Sequence, residues 1–185
     1  MIEELYQDTK KKMEKSLEAL AKDLATIRTG RASLSILDGI TVEYYETQTP
    51  LNQVATLSIP ESRLIVIQPW DTTIIKDVEK AIMRSDLGLT PSNDGKVIRI
   101  SIPSLTEERR EQLVKLVKRN GEDCKVGIRN ARRDSISEAK EFEKEKLISE
   151  DDFHRAQDEI QKITDSTVEK VDEVIKNKEK EIMEV

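Results

Sequence analysis

Cysteine occurs once, at position 124, which excludes an intrachain disulfide framework and any site built from several cysteines. Aromatic residues make up 3% of the chain (one Trp, two Phe, three Tyr), so any core must be aliphatic and thin. No apolar run approaches the ~18 residues needed to cross a bilayer, which excludes an integral membrane protein. Met1 leads into Glu3, Glu4 and a lysine cluster with no apolar segment behind it, so no secretory signal is expected and the expected address is the cytosol. Proline is absent after Pro103, and nothing there interrupts a long helix.

What the chain has is charge. Of 185 residues 37% are Asp, Glu, Lys or Arg, against about 25% in ordinary globular domains. This length allows one large domain or two small ones. The net charge of −6 argues against a nucleic-acid partner, but its distribution does not. Residues 109–133 hold nine Lys/Arg against three Asp/Glu, whereas residues 134–185 hold nine against seventeen. Screening confines a charge to about 8 Å at physiological salt, so a partner meets the local field rather than the sum.

Met13, Leu17, Leu20, Leu24 and Ile27 recur at steps of four and three, a heptad-like stripe that predicts a helix over the first thirty residues, stopped at Thr29-Gly30. From Arg31 to about Ser104 the composition changes, with all five prolines and four of the six glycines within or bordering the stretch. Strands are expected at 40–45, 54–59, 64–68 and 97–102, with a helix over 73–85 carrying Ile74, Val78, Ala81 and Ile82 on one face. Asn93-Asp94-Gly95 reads as a turn before the last strand. After Thr106, an expected N-cap, the stripe Leu113, Val117, Asn120, Cys124, Ile128, Ala131 and Ser135 predicts a second long helix. It breaks near 146–150, and Ser149 with Asp151 and Asp152 opens a third, through Phe153, Ile160, Ile163, Thr167, Val171 and Val174.

The expected fold is therefore α+β. A discontinuous three-helix bundle (1–29 and 106–185) carries a small β/α/β domain (31–104) inserted between its first two helices. Two chain crossings, near 30–33 and 103–105, make a hinge of Gly30, Ser33, Pro103 and Ser104.

The best candidate site is one face of the second helix. At about 100° per residue, Lys118, Lys125, Arg129 and Arg132 fall within about 60° of one another, with Arg110 about 40° beyond Arg132. Arg28 and Arg31 could extend the patch toward the hinge. Guanidinium groups suit phosphates through their paired donors and permanent charge. A solvated helix flank is the competing reading, and the segregation of acidic residues into the next helix shifts the balance toward a phosphate-bearing partner. No aromatics interleave with the basic residues, so structured backbone rather than stacked single strand is the expected ligand.

Catalysis has little support. His154 stands alone on an acidic helix start, Cys124 lies on the apolar stripe, and no glycine-rich phosphate loop, HExxH pair or nucleophile elbow occurs. No catalytic residue, metal or cofactor is therefore expected. Of Tyr44 and Tyr45, adjacent on a strand, one is expected to be exposed. Core packing is preferred to an interface anchor for Trp70, and Asp71 is expected to cap the helix that follows.

Several runs resemble one family. Ile27-Arg28-Thr29-Gly30-Arg31-Ala32-Ser33, Leu37-Asp38-Gly39 and Val42-Glu43-Tyr44-Tyr45 are similar to bacterial ribosome recycling factors. So are Glu79-Lys80-Ala81-Ile82, Ser85-Asp86-Leu87-Gly88-Leu89, Leu105-Thr106-Glu107-Glu108-Arg109-Arg110 and Arg129-Asn130-Ala131-Arg132-Arg133-Asp134. Ile148-Ser149-Glu150-Asp151-Asp152 and Gln161-Lys162-Ile163-Thr164-Asp165 complete an ordered match from end to end.

The resemblance implies a near-L-shaped two-domain protein whose bundle binds ribosomal RNA of the large subunit. Elongation factor G with GTP would press on the smaller domain, separating the subunits after termination. By position it implies RNA contacts for Arg28, Arg31, Arg110, Arg129 and Arg132, whereas Lys118 and Lys125 rest on the helical wheel alone. Leu34 stands where the family often has Pro, and Val185 where an aromatic is common. A monomer is expected, since the bundle closes its own core. The competing classes are a helical chaperone or adaptor, indifferent to Arg132, and a phosphate-handling enzyme, for which no turnover site is assembled.

Overall fold

The computed structural model describes residues 1–184; Val185, and with it the reading of the chain end, lies outside the described residues. The architecture is α+β, and the chain divides into two compact units, Met1–Arg28 with Glu107–Glu184 and Thr29–Thr106.

The first unit is a bundle of three helices, α1 (Ile2–Ala25), α3 (Glu107–Lys144) and α4 (Glu150–Met183). Each buries one stripe, and Met13, Val117, Ile128, Ile160 and Val171 are fully enclosed. Each such side chain contributes about 1.5–3 kcal/mol. Thr9 meets Ser135, and Cys124 Sγ donates to the Ser16 carbonyl, so α3 runs antiparallel to α1. The Thr9 and Ser135 hydroxyls, 2.6 Å apart and both buried, also lie against their own helix carbonyls at Leu5 and Ala131. One hydroxyl donates to the other, which keeps its own helix carbonyl as acceptor, so no donor is stranded.

Helix ends and spacing depart from expectation in particular places. Helix α1 stops at Ala25, four residues before Thr29, because Thr26 Oγ1 donates to Asp23 O at 2.6 Å and Ile27 N–H turns back to Leu24 O. Leu5 and Thr9 extend its buried face, whereas Leu17 is half-buried. In α3 the buried position is Gly121 rather than Asn120: a Cβ there would stand 2.7 Å from Ile175 Cγ1, so the glycine lets α4 approach. Ser149 opens α4 through a reciprocal capping box with Asp152. Val174 is half-buried, and Ala156, Thr164 and Ile182 join that stripe.

The second unit holds a hairpin, β1 (Thr41–Tyr44) with β2 (Thr47–Pro50), and an antiparallel four-stranded sheet. The sheet strands are β3 (Ala55–Glu61), β4 (Leu64–Pro69), β5 (Pro91–Asn93) and β6 (Ile98–Ser101), in the order β3-β4-β6-β5. Helix α2 (Ile75–Arg84) buries Ile75, Val78 and Ile82 in the same core as Ile65, Ile67, Ile98 and Ile100. Two strands, β2 and β5, were not expected. Both are short, polar and contain proline, and β5 lies at the sheet edge, where a missing N–H is tolerated.

Trp70 is corrected: it is 66% exposed rather than packed in the core. Ile65, Ile67 and Pro69 point inward from β4, so Trp70 has the opposite parity and leaves the core. Asp71 caps as expected, accepting from Thr73 N–H at 2.9 Å ahead of the 3-10 turn that leads into α2.

Both chain crossings are tied to one turn of this unit. Ala32 N–H donates to Ser62 O at 2.7 Å and Ile102 N–H to Arg63 O at 2.8 Å. Gly30, at φ +79°, faces Leu105, whose Cγ would lie 3.1 Å from an added Cβ.

Candidate nucleic-acid interface

Helix α3 presents its basic residues on the flank that turns toward α4, and α4 takes hold of two of them. Lys125 Nζ lies 2.6 Å from Asp172 Oδ1 and 3.6 Å from Glu122 Oε1, and only 17% of its side chain is exposed. The Asp172 carboxylate, which accepts a hydrogen bond from Lys125, pushes the ammonium pKa up. Arg132 is half-buried, with Nη1 donating to Gln161 Oε1 at 3.3 Å, while Gln161 Nε2 donates to Asp165 Oδ1 at 2.8 Å. A single-helix wheel contains no neighbour, so it groups these two residues with Lys118 and Arg129 without registering the partners that α4 brings.

Lys118 and Arg129 are exposed and enter no ion pair among the described residues. Arg28 is also exposed, on the same unit, while Arg31 is exposed on the other. Arg110 is half-buried with Nε shut off from solvent. It lies about 20° from the middle of the stripe that α3 buries, closer than the expected stripe placed it. Lys115, Arg119 and Arg133, all exposed, continue the cationic surface around the outer side of α3. On the helical wheel they lie outside the ~60° sector that holds Lys118, Lys125, Arg129 and Arg132, so angular clustering alone does not group them with it.

The arrangement suits phosphate. The open cations are Lys and Arg on a single helix of 38 residues, set at spacings of one to three turns on a surface without aromatic rings. Exposed charges of this kind give salt-sensitive binding rather than a deep site.

Cys124 is buried, and its desolvation pushes the thiol pKa up, away from nucleophilic use. His154 is exposed, 3.7 Å from Glu150. Among the described residues no group of three His, Cys, Asp or Glu side chains is placed to hold a metal ion, and no helix is long and apolar enough to cross a membrane. A cleft of about 450 Å³ in the small unit lies between the β1–β2 hairpin and α2 and is open and charged, with Glu43, Tyr45, Asp77, Lys80 and Arg84 on its walls.

Comparison with known proteins gives one answer throughout. The family model described as ribosome recycling factor matches residues 20–183. The chain is 59% identical over 181 residues to the ribosome-recycling factor of Syntrophus aciditrophicus, covering 98% of each chain. It is 56% identical over 184 residues to that of Desulfatibacillum aliphaticivorans, covering all of both. Among solved structures, the solution structure of a ribosome recycling factor superposes with a TM-score of 0.72 at 40% identity, over 100% of this chain and 98% of that one. Models for the T. thermophilus factor, bound with E. coli elongation factor G to the E. coli post-termination complex, match with a TM-score of 0.62 at 48% identity, over 99% of each chain.

Proposed function

Since the chain belongs to the ribosome recycling factor family, we propose that it binds the large ribosomal subunit after termination and, with elongation factor G and GTP, separates the subunits of the post-termination complex. The observation that carries this is similarity running unbroken through both units, so the anchoring part and the moving part are both present. The chain works as a monomeric translation factor in the cytoplasm. It catalyses no reaction, since the elongation factor supplies GTP hydrolysis.

The bundle is the anchor. Arg28, Arg129 and Lys118 reach ribosomal RNA phosphates directly, and Arg132 reaches them from its seat on Gln161. Lys125, paired with Asp172, adds less because its charge is already compensated. Arg31 and Arg110 bind from beside the crossings. The acidic remainder of the chain discourages indiscriminate RNA binding. Elongation factor G acts on the small unit, and the crossings at 30–33 and 103–105 are the hinge through which its push is delivered.

Post-termination polysomes incubated with the protein, elongation factor G and GTP, then resolved by sedimentation, test the proposal. Breakdown to monosomes or subunits only when all three are present is the expected result. Large-subunit binding without breakdown would remove the assigned partner, and neither binding nor breakdown would return the chain to the adaptor class.

A further inference from the structure

Trp70 and Tyr45 are the two aromatic residues that folding leaves exposed, at 66% and 83%. Neither ring is loose. Trp70 Nε1 donates to Thr56 Oγ1 at 2.9 Å, and its backbone N–H donates to Val54 O at 3.0 Å. Tyr45 packs edge-on against Tyr44 with ring centroids 4.4 Å apart, and the Tyr44 hydroxyl reaches Asp71 Oδ2 at 3.5 Å. That contact ties the hairpin tip to the residue after Trp70, so both rings stand at the same end of the small unit.

One exposed apolar side chain needs no explanation. Two oriented rings do, because a ring already fixed loses little freedom when covered, and Trp and Tyr dominate binding energy at protein interfaces. The surrounding charge selects the kind of partner. Glu43 and Glu46 flank the Tyr44-Tyr45 pair, Asp71 follows Trp70, and Asp77 lies across the cleft with Lys80 and Arg84. Glu43, Glu46 and Asp77 enter no ion pair among the described residues. Single-stranded nucleic acid requires aromatics inside a continuous cationic groove, and these carboxylates would repel its backbone. Aromatics within a rim of both signs are the pattern of a protein contact.

Resting on the recycling reading, we propose that Tyr45 and Trp70 are the residues of the small unit that anchor elongation factor G, on a surface whose basic side chains meet Glu43 and Glu46. The test titrates elongation factor G into the polysome-splitting reaction with the full chain and with its Trp70→Ala, Trp70→Phe and Tyr45→Asn variants. Asn is chosen because residue 45 has φ +49°, a conformation it tolerates.

The half-saturating concentration of the elongation factor is expected to rise about tenfold for Trp70→Ala and Tyr45→Asn and less for Trp70→Phe. Binding of each variant to large subunits alone should be unchanged. A Glu43→Gln/Glu46→Gln variant should lose more at low salt than at high salt.

An unchanged titration in every ring variant overturns the proposal. So does weakened binding to ribosomes without the elongation factor, which would assign the rings to ribosomal RNA or protein. If Trp70→Ala melts early, Trp70→Phe and Tyr45→Asn decide. If the unsubstituted chain does not split polysomes, the recycling reading fails and this proposal falls with it.

Discussion

Glycine in a helix interior costs about 1 kcal/mol relative to alanine, so Gly121 needs a reason, and Ile175 supplies one. A methyl group there would sit 2.7 Å from Ile175 Cγ1 and 2.9 Å from Cδ1. Gly121→Ala is expected to lower the unfolding free energy by about 1–2 kcal/mol, overpacking outweighing the gain in propensity. Ile175→Ala should cost less in that background than in the original chain, and urea titrations of the four proteins measure the difference. At the basic face, Arg129→Ala should weaken large-subunit binding about tenfold and reduce the salt slope by about one, with stability changed by less than about 0.5 kcal/mol. Lys125→Ala should affect binding less, since Asp172 already holds that ammonium. Equal binding losses for both, measured by co-sedimentation at several salt concentrations, would show the pair opening on the ribosome. Arg132→Ala should likewise weaken binding while leaving the melting temperature nearly unchanged.

Among elements, α4 depends most visibly on its start. Ser149→Ala removes the acceptor for Asp152 N–H and should cost about 1 kcal/mol by thermal unfolding. The same cap makes stability depend on pH. The Ser149 hydroxyl and backbone N–H hold the Asp152 carboxyl below its ordinary value of 3.8. A depressed folded value means that stability is fully present above the unfolded value and is lost as pH falls through the lower folded one. Asp152→Asn should therefore flatten the acid limb of a stability–pH curve below about pH 4; an unaltered limb would refute the assignment. Asp71 and Asp94, held low by turn hydrogen bonds, act in the same direction.

The three bundle helices and α2 were legible because their apolar spacing is long and regular, and so was Ser149, because a capping box is local. Strands β2 and β5 were not, since Thr47–Pro50 and Pro91–Asn93 carry no apolar alternation and pair only because a neighbour offers its edge. Asn120 was placed in the stripe instead of Gly121 because that position is decided by Ile175 opposite, which one helix's sequence does not contain, whereas the exposure of Trp70 follows from the alternation of its own strand, with Ile65 and Ile67 inward. The basic residues of α3 were found by charge and angle, but the grip of Asp172 and Gln161 belongs to the helix beside them.

For the whole molecule, the proposed hinge makes a separable prediction. Ser33 has φ −141°, far from the −65° a proline imposes. Leu34 opens the 3-10 turn Leu34–Leu37, where proline fits. Leu34→Pro, which places there the residue the family often carries, should leave polysome splitting and large-subunit binding both within about twofold while restricting the unfolded chain, which raises thermal stability slightly. A severalfold loss of splitting with binding retained would show that the freedom of the backbone beside the first crossing is itself used in the mechanical step.

The turn at Ser62–Arg63, which accepts hydrogen bonds from both crossings, also bears on how the chain acquires its structure. Thr9 and Ser135 meet across 126 residues, a long loop for the bundle to close. If the small unit folds first, its two ends are already pinned side by side, and the effective loop shrinks to roughly 60 residues, which lowers the closure cost by about 0.7 kcal/mol. The inserted unit would then act as an internal splint, bringing α1 within reach of α3 before either helix has a core to bury.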